Sequence, residues 1–313
     1  MAREVLLAFI GGIVGGLFQT AALSGTVGGL IFAMLAEVPL FLVGLSVGLL
    51  ATLIAAGVSI VMIGLVGGPL ASLLFLITTA GPLIVMVRQS LLNRQTSDGV
   101  VEWYPPGLLI AWLTGMAAGG IALSAFLLAD FPDGLSGEVR SLLAREIPRA
   151  LPNGFDPKTT EQLVDQFTAV GPGVVAVSWV LMMAVNGILA QGLLVGLGRN
   201  LRPSPPIATL DVPSWVYYAF SAAVLTAIVA DNSLGYIARN LAIAFSVPFF
   251  FQGLAVVHAL INRLKAWRAS LFIFYLILIV AGWPAIFVTA IGLAEPFLKV
   301  RFRYGRPRGS EET

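Results

Sequence analysis

The polar side chains that could take part in chemistry are few, and each stands in a long apolar stretch. Glu37 is the only ionisable residue in a run of more than 80 residues, and the chain holds one histidine. Burying such groups against lipid is costly, so they are expected to face a protein interior and to mark binding or translocation sites. The candidate ligand-binding residues are Glu37, Gln19, Asn186, Gln252 and His258.

Two interpretations of Glu37 differ in where its carboxyl group lies. Pro39 follows closely, and a proline both lacks a backbone donor and biases the preceding Val38 away from helix. This favours a helix boundary at the membrane surface, where the carboxylate is solvated. In the alternative, Glu37 lies inside the helical bundle and takes a proton- or cation-coupling role.

Gln252 and His258 belong to one apolar segment but are not expected to act on the same atom. They are six residues apart, which points them to different faces of a helix. A lone histidine followed by Asn262 and Arg263 is more typical of an interfacial or structural residue than of a ligand. We therefore keep a binding role for His258 as the weaker of its two interpretations.

The composition excludes several classes of function. Of the 313 residues, 58% are hydrophobic and 11% charged, against about 25% charged in soluble domains. With no cysteine and a single histidine, thiolate and histidine-cluster metal sites are impossible. Phosphate-binding and zinc-protease motifs are absent. The sequence therefore predicts no catalytic residues, no metal, no cofactor and no nucleic-acid partner, and the protein is not expected to be an enzyme.

Apolar segments long enough to cross a bilayer follow one another along most of the chain. A crossing helix needs roughly 20 apolar residues, so the sequence predicts an all-α, polytopic transmembrane bundle of about eight to ten spans. The predicted regions are an N-terminal membrane bundle of about five spans (1–129), an extramembrane amphipathic segment (130–171), C-terminal spans (172–298) and a basic tail (299–313).

Two motifs predict interruptions within the apolar regions. Gly67-Gly68-Pro69 separates the predicted third and fourth spans, and Gly282-Trp283-Pro284 divides the last apolar run. A break at the second motif would place the basic tail on the same side as three loops that are rich in Lys and Arg. By the positive-inside rule that side is cytoplasmic. Those loops are 88–104, 199–213 and 262–268.

Paired glycines four residues apart recur in the predicted spans. Such pairs lie on one helix face and allow two helices to approach closely. Tight packing within one subunit is the favoured interpretation, and a dimerisation face is the alternative. The pairs are Gly11/Gly15, Gly12/Gly16, Gly44/Gly48, Gly115/Gly119 and Gly192/Gly196.

The segment 130–171 is expected to form two short amphipathic helices, the second opening at Asp156-Pro157, where an acidic cap precedes a proline in the first turn. They would lie along the membrane surface or over the mouth of the bundle. A solvated connector without a role is the equal alternative.

Two stretches of the chain resemble a known family. One runs from Glu37 to Thr52 (Glu-Val-Pro-Leu-Phe-Leu-Val-Gly-Leu-Ser-Val-Gly-Leu-Leu-Ala-Thr), and the other from Phe251 to Leu260 (Phe-Gln-Gly-Leu-Ala-Val-Val-His-Ala-Leu). Together they resemble the bacterial multi-pass membrane proteins typified by YybS, a domain-of-unknown-function family distantly similar to the S components of energy-coupling-factor transporters. The resemblance implies a multi-pass helical bundle of the bacterial plasma (inner) membrane with small-molecule binding. Ser46 stands where S-component-like stretches often have a basic residue.

The leading functional hypothesis is a transporter-like bundle that binds or moves a small molecule between the first four spans and the later ones. The alternative is a membrane scaffold or assembly factor that acts through helix–helix contacts with a membrane-protein partner or a second copy. A cavity lined by Gln19, Glu37, Asn186 or Gln252 would support transport. A solid core with an exposed apolar seam would support the scaffold.

Overall fold

The computed structural model describes residues 2–150 and 156–304 and confirms an all-α membrane protein. The chain is 82% helical. A single pair of short antiparallel strands appears in the described part, β1 (Asn93–Gln95) and β2 (Val101–Trp103). The helices are α1 (Ala2–Thr20), α2 (Val27–Met34), α3 (Glu37–Val47), α4 (Leu49–Phe75), α5 (Gly81–Leu91), α6 (Pro106–Leu127), α7 (Gly134–Ala150), α8 (Pro157–Gly196), α9 (Ser214–Val229), α10 (Ser233–Phe245), α11 (Val247–Ile261), α12 (Trp267–Ala281), α13 (Pro284–Leu298) and α14 (Val300–Tyr304).

Six helical segments of the described chain are long and apolar enough to cross a membrane, or up to seven when the bent pair α12 and α13 counts as one span. Large apolar side chains cover their outer surfaces: Leu65 is 82% exposed and Phe126 is 77% exposed. Such a surface suits lipid, because hydrocarbon tails solvate these side chains and the backbone polar groups are satisfied within the helices. The prediction of a multi-span helical bundle is confirmed.

The predicted break at Gly67-Gly68-Pro69 is a reversal of chain direction within α4. Gly68 has φ 81° and ψ 177°, which lies outside the helical region. Ser72 Oγ donates to Ile60 O at 2.9 Å, although twelve residues of straight helix would separate them by about 18 Å. The stretch Leu49–Leu91 is therefore a helical hairpin. When the two arms of this hairpin are counted separately and the short helix α9 is included, the number of apolar segments falls within the predicted eight to ten.

The chain divides into two compact units. Unit 1 comprises Met1–Leu113 with Leu181–Pro205, and unit 2 comprises Thr114–Val180 with Pro206–Thr313. Two of the three boundaries fall inside α6 and α8 and the third lies in the loop before α9, so neither unit is a continuous segment.

Unit 1 packs α1 against α3 and α4 through two glycine pairs. A Cβ built on Gly12 would lie 2.4 Å from Ala55 O, and one on Gly15 would lie 2.3 Å from Leu40 Cδ1. Ser59 Oγ donates to Gly12 O at 2.7 Å across the same contact. The glycines therefore allow close contact within one subunit, as favoured for these pairs.

Other predicted glycine pairs do not pack in this way. A Cβ at either member of Gly115/Gly119 or of Gly192/Gly196 would meet no atom within 4 Å of the described structure. These faces of α6 and α8 are open.

In unit 2, helices α11 and α13 approach backbone to backbone. A Cβ on Gly253 would lie 1.8 Å from Val288 O, and one on Gly292 would lie 1.9 Å from Phe249 O. Helix α13 follows α12 after a bend of 117°, and Gly282 between them has φ 70°. The predicted break at Gly282-Trp283-Pro284 is thus present. Arg306 and Arg308 of the predicted basic tail lie outside the described residues.

The expected second amphipathic helix of 130–171 and the first of the predicted C-terminal spans form one continuous helix, α8. Pro172 lies inside α8 and has no N–H to donate to Thr168 O, four residues earlier. Tyr236 Oη donates to Thr168 O at 2.9 Å in its place. The prediction of two separate elements here was wrong, because α10 supplies the hydrogen bond that the proline removes.

Asn240 of α10 completes this repair. Its Oδ1 accepts from Gly173 N at 2.8 Å, and its Nδ2 donates to Ala169 O at 3.3 Å. The Asn240 amide thus bridges Gly173 N and Ala169 O in place of the direct helical hydrogen bond between them. Asn240 is 0% exposed, so the repair lies in the core of unit 2.

Helix α8 begins as its sequence predicts. Asp156 Oδ1 accepts from Lys158 N at 3.0 Å and Thr159 N at 3.1 Å, which makes Asp156 the N-cap. The hydrogen bond from the Thr159 side chain, with these backbone bonds, lowers the pKa of the Asp156 carboxyl. Because the folded-state pKa is lowered, the contribution of this cap to stability is lost as the pH falls through it.

Candidate functional site

The structure brings together two of the five candidate residues, Glu37 and Asn186. Glu37 is the first residue of α3, and Asn186 lies on α8 in the same unit. Asn186 Nδ2 donates to Glu37 Oε2 at 2.9 Å and to Met34 O at 2.8 Å. The amide therefore holds both the carboxyl group and the last residue of α2, across the short break between α2 and α3.

The favoured interpretation of Glu37 was half right. A helix boundary is present, because α2 ends at Met34 and α3 begins at Glu37. The expected solvation is wrong, because Glu37 is 2% exposed and Asn186 is 2% exposed. The carboxyl group is buried because the break lies in the middle of the apolar segment Val27–Val47, with α8 packed over it.

Among the residues that the structure describes, no cation pairs with Glu37. Leaving an ionised carboxylate buried with only an amide donor costs several kcal/mol. A proton or a small cation on the carboxyl group removes that cost. The Glu37–Asn186 pair is therefore suited to binding and releasing a small positive charge.

Gln252 is a buried cross-link of unit 2 rather than an open ligand. Its Oε1 accepts from Val212 N at 3.0 Å, and its Nε2 donates to Tyr217 Oη at 2.9 Å and to Gly292 O at 3.1 Å. Both amide hydrogens are used in these bonds. Gln252 thus ties α11 to α9, α13 and the preceding loop.

Gln252 also forms part of the wall of a cavity of about 860 Å³ in unit 2. The cavity lies between the loop before α9 and the C-terminal end of α13. Its polar wall includes Tyr217, Asp211, Glu295, Lys299 and Arg301. We call this space the Tyr217 cavity.

Sequence reasoning missed the ion network beside this cavity. Glu295 is 5% exposed in α13, and its carboxylate accepts from Val300 N and Arg301 N, both at 3.0 Å. Arg301 Nε donates to Glu295 at 3.1 Å, and Arg301 Nη2 pairs with Asp211. The signal was present in the sequence, because an acid near the end of an apolar run is followed six residues later by a base.

The other two candidates stand apart from the Glu37–Asn186 pair. His258 is half-buried, and its Nε2 hydrogen-bonds Tyr275 Oη at 2.8 Å, which joins α11 to α12. Gln19 is half-buried on α1, and no hydrogen bond among the described residues joins it to Glu37. His258 thus makes a contact between α11 and α12, and its structural role stays a prediction.

Unit 1 contains a second buried polar group that the sequence did not single out. Arg202 is 5% exposed and donates to Ser90 O at 3.0 Å and to Tyr104 O at 3.2 Å. Its guanidinium carbon lies 5.8 Å from the centre of the Trp103 ring. Burial lowers the pKa of this guanidinium. Arg202 thus holds the end of α5 and the start of α6 to the loop after α8.

Replacing Arg202 with lysine should destabilise unit 1 although the charge is kept. A single ammonium cannot reproduce a planar fork that bonds two carbonyl groups and stacks on an indole ring. We expect a loss of about 1–3 kcal/mol, measured by denaturant unfolding in detergent. Arg94→Lys is the matched control, because the Arg94 side chain is 80% exposed and should tolerate the change. Equal effects of the two substitutions would contradict the bridging role.

Comparison with known families gives a match that covers most of the chain. Residues 17–295 match the model of the family described as "Predicted membrane protein (DUF2232)". No curated protein and no solved structure matches the chain. The apolar helices agree with the description of this family as membrane proteins, and the match covers most of the chain. The chain therefore belongs to the DUF2232 family of predicted membrane proteins.

Proposed function

We propose that the protein is a transporter-like bundle of the bacterial inner membrane, in which Glu37 and Asn186 form a site that binds a proton or a small cation during movement of a small molecule. One observation carries the proposal. Glu37 is buried, no cation of the described chain neutralises it, and Asn186 from a distant helix holds it in place. Ionisable residues in spans are rare and characteristic of ion pathways.

Two further features support this proposal. The resemblance to YybS-type proteins, and more distantly to transporter S components, is consistent with small-molecule binding. A cavity with Gln252 in its wall supports transport over a solid scaffold. In this proposal residues 1–129 and 172–298 are the membrane regions, residues 130–171 lie outside the bilayer, and the protein acts without catalysis or cofactor.

A hydrophobic carbodiimide tests whether the Glu37 carboxyl group exchanges a proton. These reagents label protonated carboxyl groups in apolar surroundings, so we expect a label on Glu37 that decreases as the pH rises and the group is deprotonated. The measurement is peptide mass spectrometry of purified protein. Glu37→Gln should abolish that label, and Glu4→Gln, which changes another acid of unit 1, should leave it.

The same assay separates the alternatives. Protection of Glu37 by sodium or lithium at constant pH would identify a metal cation as the ligand instead of a proton. No label at any pH, or a label insensitive to both pH and cations, would contradict the proposed site.

A membrane scaffold or assembly factor remains the second candidate function. The observation that favours it is the pair of open glycine faces at Gly115/Gly119 and Gly192/Gly196, which leave room for a helix of another chain. Under this alternative, Gly119→Leu would abolish association measured by cross-linking in membranes. Glu37→Gln would have no effect on function in cells.

A further inference from the structure

The Tyr217 cavity has the features of a site for an amphipathic molecule. Its volume of about 860 Å³ lies within the range of roughly 300–1,000 Å³ of small-molecule sites. Two exposed aromatic residues border it, since Tyr218 is 74% exposed and Phe297 is 80% exposed. The cavity belongs to unit 2 and shares no residue with the Glu37–Asn186 pair, so it is tested separately from the proposed function.

The charged residues of the wall divide into two groups. Arg301 and Glu295 are committed to the fold: Arg301 Nη1 donates to Ala208 O and Leu210 O, both at 2.9 Å, and Arg301 Nε bonds to Glu295. The Arg301 side chain is 16% exposed and that of Glu295 is 6% exposed. These two residues therefore shape the wall and have little capacity left for a ligand.

The second group is available. The Lys299 side chain is exposed and has no ion pair in the described part of the chain. The Asp211 side chain is 79% exposed and uses one oxygen, Oδ1, on Arg301. The Tyr217 oxygen accepts from Gln252, which leaves its own proton free to be donated. One cavity thus presents an ammonium, a hydroxyl donor and a carboxylate oxygen.

These groups complement a molecule that carries both charges. An anionic phosphate fits the Lys299 ammonium and the Tyr217 hydroxyl, and an ammonium fits the free oxygen of Asp211. An apolar body would lie along Tyr218 and Phe297. In a bilayer, lysine and tyrosine at helix ends stand at the level of the lipid headgroups, and exposed aromatic residues contact acyl chains.

We propose that the Tyr217 cavity binds the headgroup of a zwitterionic membrane phospholipid with a primary ammonium, such as phosphatidylethanolamine. The phosphate is held by Lys299 and Tyr217, and the ammonium by Asp211. A lipid that lacks the ammonium loses the contact with Asp211. A lipid whose nitrogen is fully methylated keeps the charge but has no N–H to donate.

The test is native mass spectrometry of the full chain released from nanodiscs that hold equal amounts of phosphatidylethanolamine, phosphatidylcholine and phosphatidylglycerol. We expect phosphatidylethanolamine to be retained about tenfold over the others, as one charged hydrogen bond provides. Asp211→Asn should remove that preference, because Asp211 holds the ammonium. Lys299→Gln should lower the retention of all three lipids, since each carries the phosphate, and Lys299→Arg should restore it. Lys265→Gln, at an exposed position of the turn after α11, is the matched control and should bind as the wild type does.

Three outcomes would overturn the proposal. The first is equal retention of the three lipids by the wild-type chain. The second is an unchanged preference in Asp211→Asn while the variant remains folded by its thermal unfolding midpoint. The third is displacement of the lipid by soluble phosphoethanolamine at equal concentration, which would make the ligand a free metabolite instead of a lipid.

Discussion

Replacing Gly253 with alanine should destabilise the protein by about 3 kcal/mol or more, because helices α11 and α13 have no room for an added methyl group. The new Cβ would lie 1.8 Å from Val288 O and 2.7 Å from Val288 C. Both atoms belong to backbone, so relief requires a shift of the whole helix. Gly292→Ala should behave in the same way, since its Cβ would lie 1.9 Å from Phe249 O.

Gly119→Ala provides the matched control for this prediction. Gly119 is also in a helix, and a Cβ there would meet no described atom within 4 Å. Alanine should therefore leave stability unchanged or raise it by roughly 0.5–1 kcal/mol through its helix propensity. The measurement is the midpoint of unfolding in mixed micelles of mild and denaturing detergent. Similar midpoints for Gly253→Ala and Gly119→Ala would contradict the close contact of α11 and α13.

The second large effect is expected at Asn240, whose amide repairs α8 at Pro172. Asn240→Leu leaves the N–H of Gly173 and the C=O of Ala169 without these partners in the core of unit 2. Each unsatisfied buried group costs about 1–3 kcal/mol, so a loss of about 2–5 kcal/mol is expected. Tyr236→Phe should cost less, since it removes a single donor to Thr168 O.

Pro172→Ala makes this prediction specific. Alanine restores the N–H that proline lacks and allows a direct bond to Thr168 O, so α8 no longer needs the hydroxyl of Tyr236. We expect Tyr236→Phe to be almost neutral in the Pro172→Ala background, and Asn240→Leu to cost less there than in the wild type. A double-mutant cycle measures both couplings. Strict additivity would show that α10 does not repair α8.

The features that could be predicted from the sequence are those that residues close together in the chain determine. Gly68 and Gly282 adopt positive φ beside a nearby proline, and that pattern is readable without a structure. The paired glycines of α1 likewise indicate a close contact. The partner of such a contact, however, lies on another helix, and no spacing rule identifies it.

The parts that were not predicted depend on distant partners. Glu37 is buried because Asn186, almost 150 positions away in the chain, is placed beside it. Helix α8 continues through Pro172 because residues of α10 replace its missing bonds. At Glu37 the local pattern predicted the helix boundary, and tertiary contacts then buried its carboxyl group. At Pro172 the local pattern predicted a boundary that is absent, because tertiary contacts keep α8 continuous.

The reversal at Gly68 has a consequence for the membrane topology of the chain. The arms 49–67 and 69–91 are about 28 Å and about 34 Å long at 1.5 Å per residue, close to the thickness of a hydrocarbon core. A hairpin contributes an even number of crossings where a straight helix contributes an odd one. The conformation of Gly68 therefore determines whether the stretch Leu49–Leu91 crosses the membrane an even or an odd number of times. It thereby determines on which side of the membrane the residues after Leu91 begin.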